Sequence, residues 1–192
     1  MIVTGGDLGT WNMRRIVRNM FPLLIVLSII VLWAGITLEG AEEMLTTYAI
    51  LAVIVPTMVD MGGNLGAILS SRLTTRFHLG MSVSDPRDRT LWANVAAVFA
   101  LAATIFTALA LGAYIIGQIL GFPLPLVDLL TITLISGMSV AMIAVIFSFG
   151  ATYMSYRLGI DPDDITIPIV TNIVDVFGMV IFIGVSAVVL GF

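Results

Sequence analysis

Cysteine and lysine are both absent from this 192-residue chain, and charged residues make up only 10% of it. The lack of cysteine excludes disulfides, thiolate metal sites and redox-active thiols. A soluble domain usually carries about 25% charged residues, so this chain has too few to cover a surface that faces water. Its net charge of −4 also argues against a nucleic-acid partner, because contacts with phosphates require a basic face.

Apolar residues are abundant instead, at 59% of the chain, and the mean hydropathy is +1.13. A membrane-spanning helix needs about 20 apolar residues, and the charged residues divide the chain into five such runs. No Ser-His-Asp or His-Glu-x-x-His arrangement is present, so we do not expect an enzyme. We predict an all-α membrane protein with a single transmembrane domain over residues 1–192. Its five helices, called spans 1 to 5, are predicted at 19–38, 45–71, 91–120, 126–156 and 165–190.

Basic residues fix the orientation of these spans. All eight are arginines, and they either precede span 1 or lie in the connections after spans 2 and 4. The positive-inside rule therefore predicts a multi-pass protein of the cell membrane with a cytoplasmic N-terminus and an outside C-terminus. The outer connection between spans 1 and 2 carries Glu39, Glu42 and Glu43. These glutamates form either a solvated loop or a mouth that concentrates cations electrostatically.

Two carboxylates lie inside predicted spans, Asp60 in span 2 and Asp175 in span 5. An ionised side chain at membrane depth costs about 2.5–3.5 kcal/mol on insertion scales, so it usually faces a bundle interior or a water path. Neither aspartate has a basic residue within its own span. We therefore interpret them as binding a proton or a metal cation; a structural hydrogen-bonding role is the alternative.

Span 5 places several oxygen ligands on the face of Asp175. Thr171, Asn172 and Asp175 are spaced i, i+1 and i+4, Pro168 precedes them by one turn, and Gly178 continues the face. A hydroxyl, an amide and a carboxylate are hard ligands that suit a divalent cation. The alternative is that Thr171 and Asn172 only hold helices together.

Span 2 has a related pattern, because Asp60 and Asn64 are four residues apart and share a face. A proline nearby removes one backbone N–H and frees a carbonyl one turn earlier. Three glycines let the helix unwind or let a neighbouring backbone approach. Irregular backbone at membrane depth is tolerated where it lines a cavity, although a GxxxG spacing alone is typical of helix packing. These residues are Pro56, Gly62, Gly63 and Gly66.

Oxygen ligands without thiolates or membrane-embedded histidines favour Mg²⁺, with Mn²⁺ or Ca²⁺ as alternatives, over Zn²⁺ or Cu⁺. We expect no cofactor beyond this transported cation. A single Asp175 per chain offers too few ligands for a divalent cation. We therefore expect a symmetric homodimer in the lipid bilayer that brings two copies of Asp175 together.

Two long motifs resemble those of the MgtE magnesium transporters and their eukaryotic solute-carrier relatives. Residues 56–66 (PTMVDMGGNLG), followed by Arg72 and Leu79-Gly80, resemble that family's second-helix signature. Residues 159–162 (GIDP) and 168–178 (PIVTNIVDVFG) resemble its fourth-to-fifth-helix segment, and Glu39 after span 1 fits as well.

The resemblance implies a dimeric five-helix pore domain in which spans 2 and 5 line the cation path. It places the ion-binding aspartate at Asp175, with Thr171, Asn172 and the Gly63-Asn64 pair in the pore neighbourhood. Two departures stand out. MgtE proteins carry a cytosolic domain and paired CBS domains before the pore, which we expect to be absent here, and Asp60 occupies a position that is often small.

We therefore predict a homodimeric transporter of divalent cations, with Mg²⁺ as the leading candidate. Asp175 is predicted to coordinate the ion or its hydration shell. Asp60 is predicted to be an auxiliary ligand or a coupling site. One alternative is a proton- or Na⁺-coupled divalent-cation exchanger. An alternative from another class is a non-transporting membrane scaffold subunit.

Overall fold

The computed structural model describes residues 13–81, 87–158 and 162–192, and within these ranges the chain is helical without strands. Five of the helices in the described ranges are long and apolar enough to cross a membrane, which confirms the all-α class and the predicted number of spans. The helices are α1 (Met13–Glu39), α2 (Glu42–Thr47), α3 (Ala49–His78), α4 (Arg89–Leu120), α5 (Leu126–Leu158) and α6 (Pro162–Leu190). Residues 159–161 of the second family-like motif lie outside the described ranges.

The second predicted span differs most from the observed helices. The chain does not run as one helix from residue 45, because Tyr48 leaves helical geometry at φ −116° and ψ 71° and separates α2 from α3. The Tyr48 N–H still donates to the Met44 carbonyl at 2.9 Å, and the Leu51 N–H donates to the Tyr48 carbonyl at 2.8 Å. At its other end α3 continues past residue 71 to His78.

Polar contacts join the extended end of α3 to the start of α4. Asp88 caps α4 by accepting a hydrogen bond from the Thr90 N–H at 2.7 Å, and it pairs with the Arg76 guanidinium. Arg72 donates to the Asn94 side chain at 3.0 Å. The backbone hydrogen bond of Thr90, together with Arg76, holds the pKa of Asp88 below its ordinary value of 3.8. A helix cap, an ion pair and a side-chain hydrogen bond thus hold the end of α3 against the start of α4.

The bundle is organised around α5, which packs against α3, α4 and α6, while α3 and α6 also pack directly on each other. By contrast, α1 packs mainly against α6, and most of its apolar side chains are exposed. Exposed apolar residues of this kind are expected where a helix faces lipid. The helices α3, α5 and α6 therefore form the packed centre of the bundle.

Close approach of these three helices depends on glycine. A Cβ atom on Gly62 would lie 2.5 Å from Val140 Cγ1 of α5, and one on Gly66 would lie 2.8 Å from Val170 Cγ1 of α6. Gly178 also faces Val140, at an ordinary 3.5 Å from its Cγ2. The close contacts at Gly62 and Gly66 are therefore those of helix packing, which is the alternative given above for the GxxxG spacing.

Candidate cation site

A cavity of about 590 Å³ opens between α3 and α6, and the end of α1 together with α2 borders it. Its wall is mostly apolar, and the polar groups are gathered on facing sides of α3 and α6. We call it the α3–α6 cavity. Its lining residues are Leu38, Leu45, Ala52, Val55, Pro56, Val59, Asp60, Gly63, Asn64, Thr171, Asp175 and Met179.

The α3 wall brings Asp60 and Asn64 together, as their spacing predicts. The Asn64 side-chain amide donates to Asp60 Oδ2 at 3.1 Å, and both side chains are exposed. This bond orients the Asp60 carboxylate and leaves the Asn64 carbonyl oxygen available as an acceptor. A carboxylate and an amide oxygen are thus presented one helical turn apart on one face.

The α6 wall presents Thr171 and Asp175, again one turn apart. The Thr171 hydroxyl donates to the Ile167 carbonyl at 3.0 Å, so its oxygen keeps lone pairs that can accept or coordinate. Asn172 does not line the α3–α6 cavity; its amide donates to the Pro168 carbonyl at 2.8 Å. Gly178 is likewise turned away, toward α5. The shared face predicted for span 5 is therefore narrower than the sequence indicated.

Gly63 is the point of closest approach between the two walls. A Cβ atom at this position would lie 3.0 Å from Asp175 Oδ1 and 3.8 Å from Thr171 Cβ. The first distance is tighter than nine in ten real Cβ contacts, so a side chain here would require the carboxylate to shift by a few tenths of an ångström. The absence of a side chain at Gly63 therefore lets the α3 backbone lie against the Asp175 carboxylate.

Both helices remain continuous through their prolines, Pro56 in α3 and Pro168 in α6. The unwinding that the prolines and glycines allow is not observed. Proline still lacks an N–H, so Pro56 leaves the carbonyl of Ala52 without its helical donor, and both residues line the α3–α6 cavity.

The three glutamates lie near two cavity-lining residues in the sequence. Glu39 ends α1, whereas Glu42 and Glu43 form the first turn of α2, and all three are exposed. Their neighbours Leu38 and Leu45 line the α3–α6 cavity. The glutamates are therefore close in sequence to its wall without lining it.

Within the described ranges, no group donates a hydrogen bond to the Asp175 carboxylate. Two carboxylates in one low-dielectric cavity repel each other, which favours the entry of positive charge. The same ranges contain no cluster of three or more histidine or carboxylate groups able to hold a metal. One chain thus offers a partly solvated acidic site rather than a closed protein cage.

The apolar lining of the cavity was not predicted from the sequence. On α3, the positions Ala52, Val55, Val59 and Gly63 repeat at three- to four-residue intervals along the face of Asp60. Extending that stripe outward from Asp60 would have found them. Leu38 and Leu45 carry no such signal, because they reach the cavity from other helices.

These features define a polytopic helical membrane protein with an acidic cavity between two of its candidate membrane-spanning helices. The family model of MgtE, described as a divalent cation transporter, matches residues 55–185, which include both cavity aspartates and all of α4 and α5. The chain belongs to this family, as its two motifs predicted. No individually curated protein matches it.

Proposed function

We propose that this protein carries divalent cations, with Mg²⁺ as the preferred ion, across the cell membrane along a path lined by α3 and α6 of a homodimer. Its N-terminus is then cytoplasmic and its C-terminus outside. Membership of a family of divalent cation transporters supports the transport activity. The observation that carries the proposal is that Asp60 and Asp175 face one cavity from opposite walls.

The size of the α3–α6 cavity suits a cation that keeps part of its water. Its volume of about 590 Å³ is roughly 20 times the ~30 Å³ that one water molecule occupies in the liquid. Mg²⁺ dehydrates reluctantly and is commonly held by one or two carboxylates plus several waters. Asp175 would contact the ion or its shell, with Thr171 and Asn64 as further oxygen donors.

The exposure of Asp60 and Asn64 supports a homodimer. Both side chains are exposed on one chain although they lie within a membrane span, where contact with lipid would cost about 2.5–3.5 kcal/mol for an ionised aspartate. A second copy that covers this side would remove the cost and would add a second Asp175 to the path.

The glutamates beside the cavity support an outer mouth. Glu39, Glu42 and Glu43 are exposed, and clustered negative charge raises the local concentration of cations. Neutralising all three is expected to reduce flux at low ionic strength and to have little effect at high salt, because salt screens exposed charges.

Purified protein in proteoliposomes loaded with a Mg²⁺-sensitive dye tests the proposal. Asp175→Ala is expected to lower Mg²⁺ uptake by at least roughly tenfold, the smaller effect seen when groups that tune a metal site are removed. Asp128→Ala is the matched control, because Asp128 lies in the first turn of α5 and does not line the α3–α6 cavity. Asp175→Ala protein that inserts normally and carries Mg²⁺ at the wild-type rate would refute the proposal.

A coupled exchanger is the second candidate, and the observation that favours it is the second carboxylate, Asp60, in the same cavity. Imposed pH or Na⁺ gradients at a clamped membrane potential should then drive Mg²⁺ movement, and Asp60→Asn should abolish that drive. Mg²⁺ uptake that does not change with either the pH gradient or the Na⁺ gradient would exclude coupling.

Thermal melting distinguishes both transport proposals from a scaffold. Binding of Mg²⁺ to the folded state is expected to raise the melting temperature, since a ligand at 100 times its Kd stabilises by about 2.7 kcal/mol. If Mg²⁺ does not change the melting temperature and the protein shows no Mg²⁺ uptake, the result would favour the non-transporting scaffold.

A further inference from the structure

Two buried threonines, Thr74 in α3 and Thr152 in α5, have hydroxyl groups without a hydrogen-bond partner among the described residues. Their exposed fractions are 1% and 0%. A threonine hydroxyl in a helix commonly donates to a carbonyl of the preceding turn, as the neighbouring Thr75 does to the Ser71 carbonyl at 2.9 Å. Burying a hydroxyl without a partner costs free energy, so these two groups call for a partner between the helices.

The packing of α3 on α5 places the two threonines side by side. The helices contact each other at matched positions that are 78 residues apart and recur at every fourth residue. The matched pairs are Gly62 and Val140, Gly66 and Ala144, and Ser70 and Ser148. Because this series holds over three successive pairs, the next pair, Thr74 and Thr152, lies at neighbouring positions of the same interface.

The serine pair provides an acceptor one turn away. The Ser70 hydroxyl donates to Ser148 Oγ at 3.0 Å, and Ser148 donates to the Gly66 carbonyl at 3.3 Å. Both serine protons are therefore used, whereas no group in the described ranges donates to Ser70 Oγ. Residues four apart on a helix have Cβ atoms about 5–6 Å apart, and two O–H···O bonds of about 2.7–2.8 Å span that distance. One small molecule thus fits between Ser70 and Thr74.

We propose that a water molecule is bound between α3 and α5 by Ser70, Thr74 and Thr152. It accepts hydrogen bonds from both threonine hydroxyls and donates to Ser70 Oγ, which gives the three bonds that a buried water typically makes. None of the three residues lines the α3–α6 cavity. The site is therefore separate from the candidate cation site and does not depend on the proposed function.

The surroundings favour water over a metal cation. The only carboxylates of α3 and α5 are Asp60 and Asp128, and each is more than three helical turns from the threonine of its helix. Asp88 lies near this end of α3 but is paired with Arg76. The two helices thus offer a cation no free negative charge that would offset its loss of hydration, whereas a neutral water needs only the hydroxyl groups.

The sign of a stability change tests whether the hydroxyls are bridged. Thr74→Val and Thr152→Val each replace a hydroxyl by a methyl group of similar size. Loss of a bridging bond is expected to raise the unfolding equilibrium constant in mixed micelles roughly 3- to 18-fold, the range of polar contacts between membrane helices. If the hydroxyls have no partner, valine removes an unsatisfied polar group and lowers the constant instead, which would overturn the proposal.

Thr75→Val is the matched control, because it makes the same change at the adjacent, exposed position, where the hydroxyl bonds within its own helix. It should alter the constant by no more than about twofold. The double variant Thr74→Val/Thr152→Val should be no less stable than the weaker single variant, since both substitutions remove one shared water. Single effects that multiply in the double variant would overturn the shared site.

Solid-state NMR of the wild-type protein in lipid bilayers identifies the occupant. With ¹³C-labelled threonine, polarisation is expected to pass from water protons to the Thr74 side chain, and Thr152→Val should weaken that transfer. A Thr74 signal that receives none would indicate a direct bond between the threonines or an unhydrated pair, and would overturn the proposal. The wild-type measurement decides this even if the valine variants do not fold.

A monovalent cation in the same place is the remaining outcome to exclude. Replacing Na⁺ or K⁺ by choline at constant ionic strength should leave the unfolding of the wild-type protein unchanged. A loss of stability in choline that Thr74→Val does not share would assign the site to a cation and overturn the assignment of water.

Discussion

The contact between Gly62 and Val140 provides the sharpest test of how α3 is held on α5. A Cβ atom on Gly62 would lie 2.5 Å from Val140 Cγ1 and 3.0 Å from Val174 Cγ1, whereas ordinary contacts begin at 3.4 Å. Gly62→Ala therefore forces α3 or Val140 to move by about 1 Å, and overpacking of a dense core typically costs about 1–3 kcal/mol. At the middle of that range, about 2 kcal/mol, the unfolding equilibrium shifts roughly 30-fold.

Val140→Ala provides the second arm of a double-mutant cycle. Val140 is 1% exposed, and loss of its two methyl groups should cost about 1–3 kcal/mol through lost contacts and a small cavity. In the double variant, the new methyl group at Gly62 enters the space that Val140 vacated. The double variant should therefore be more stable than the sum of the single effects predicts, by at least about 1 kcal/mol, within the range measured for residues in contact.

Reversible unfolding in mixed detergent micelles, followed by tryptophan fluorescence, measures these free energies. Gly35→Ala is the control, because nothing lies within 4 Å of a Cβ atom at that position of α1. It should be neutral or stabilising by up to about 1 kcal/mol, the difference in helix propensity between alanine and glycine. Additive effects of Gly62→Ala and Val140→Ala, within about 0.5 kcal/mol, would refute the packing argument.

Two further predictions concern polar contacts. Asp88→Ala should lower the melting temperature at pH 7, because it removes the cap on Thr90 and the partner of Arg76. Folding lowers the pKa of Asp88 below 3.8, so the stabilisation that Asp88 provides is present above that pH and disappears as the pH falls through the folded-state pKa. A difference in melting temperature between Asp88→Ala and wild type that does not shrink as the pH is lowered below 3.8 would contradict this assignment. Ser148 accepts a hydrogen bond from Ser70 at 3.0 Å and donates one to the Gly66 carbonyl at 3.3 Å, so Ser148→Ala should cost roughly 0.6–1.7 kcal/mol in micelle unfolding. A Ser70→Ala background should reduce that cost by the share of the Ser70 bond and leave the share of the Gly66 bond.

Charge and hydropathy predicted the number and order of the spanning helices, because insertion into lipid depends on the same properties. They did not predict where the helices end. Arg72 and Arg76 end the predicted span, yet α3 continues to His78, and Leu73, Thr74 and Arg76 are buried in this last part of the helix. The break at Tyr48 lies inside an apolar run and leaves no signal in composition.

For the site, helical spacing placed Asp60 with Asn64 and Thr171 with Asp175, because residues four apart share a face. It did not predict that α3 and α6 face each other across one cavity, which depends on long-range packing. It also grouped Asn172 with the ligands, although the 100° step from Thr171 turns its amide back to the Pro168 carbonyl. The glycines illustrate the same limit: Gly62 and Gly63 are adjacent in sequence, but one packs on α5 and the other on Asp175.

The position of α1 has a consequence for how the protein assembles during synthesis. This helix packs mainly against α6, which leaves the ribosome after α1 to α5. Until then α1 must persist in the bilayer as an independently inserted helix, and its exposed apolar side chains make that state tolerable. The contact between α1 and α6 therefore forms only after α6 has been made, and the cavity wall that Leu38 shares with α6 forms no earlier.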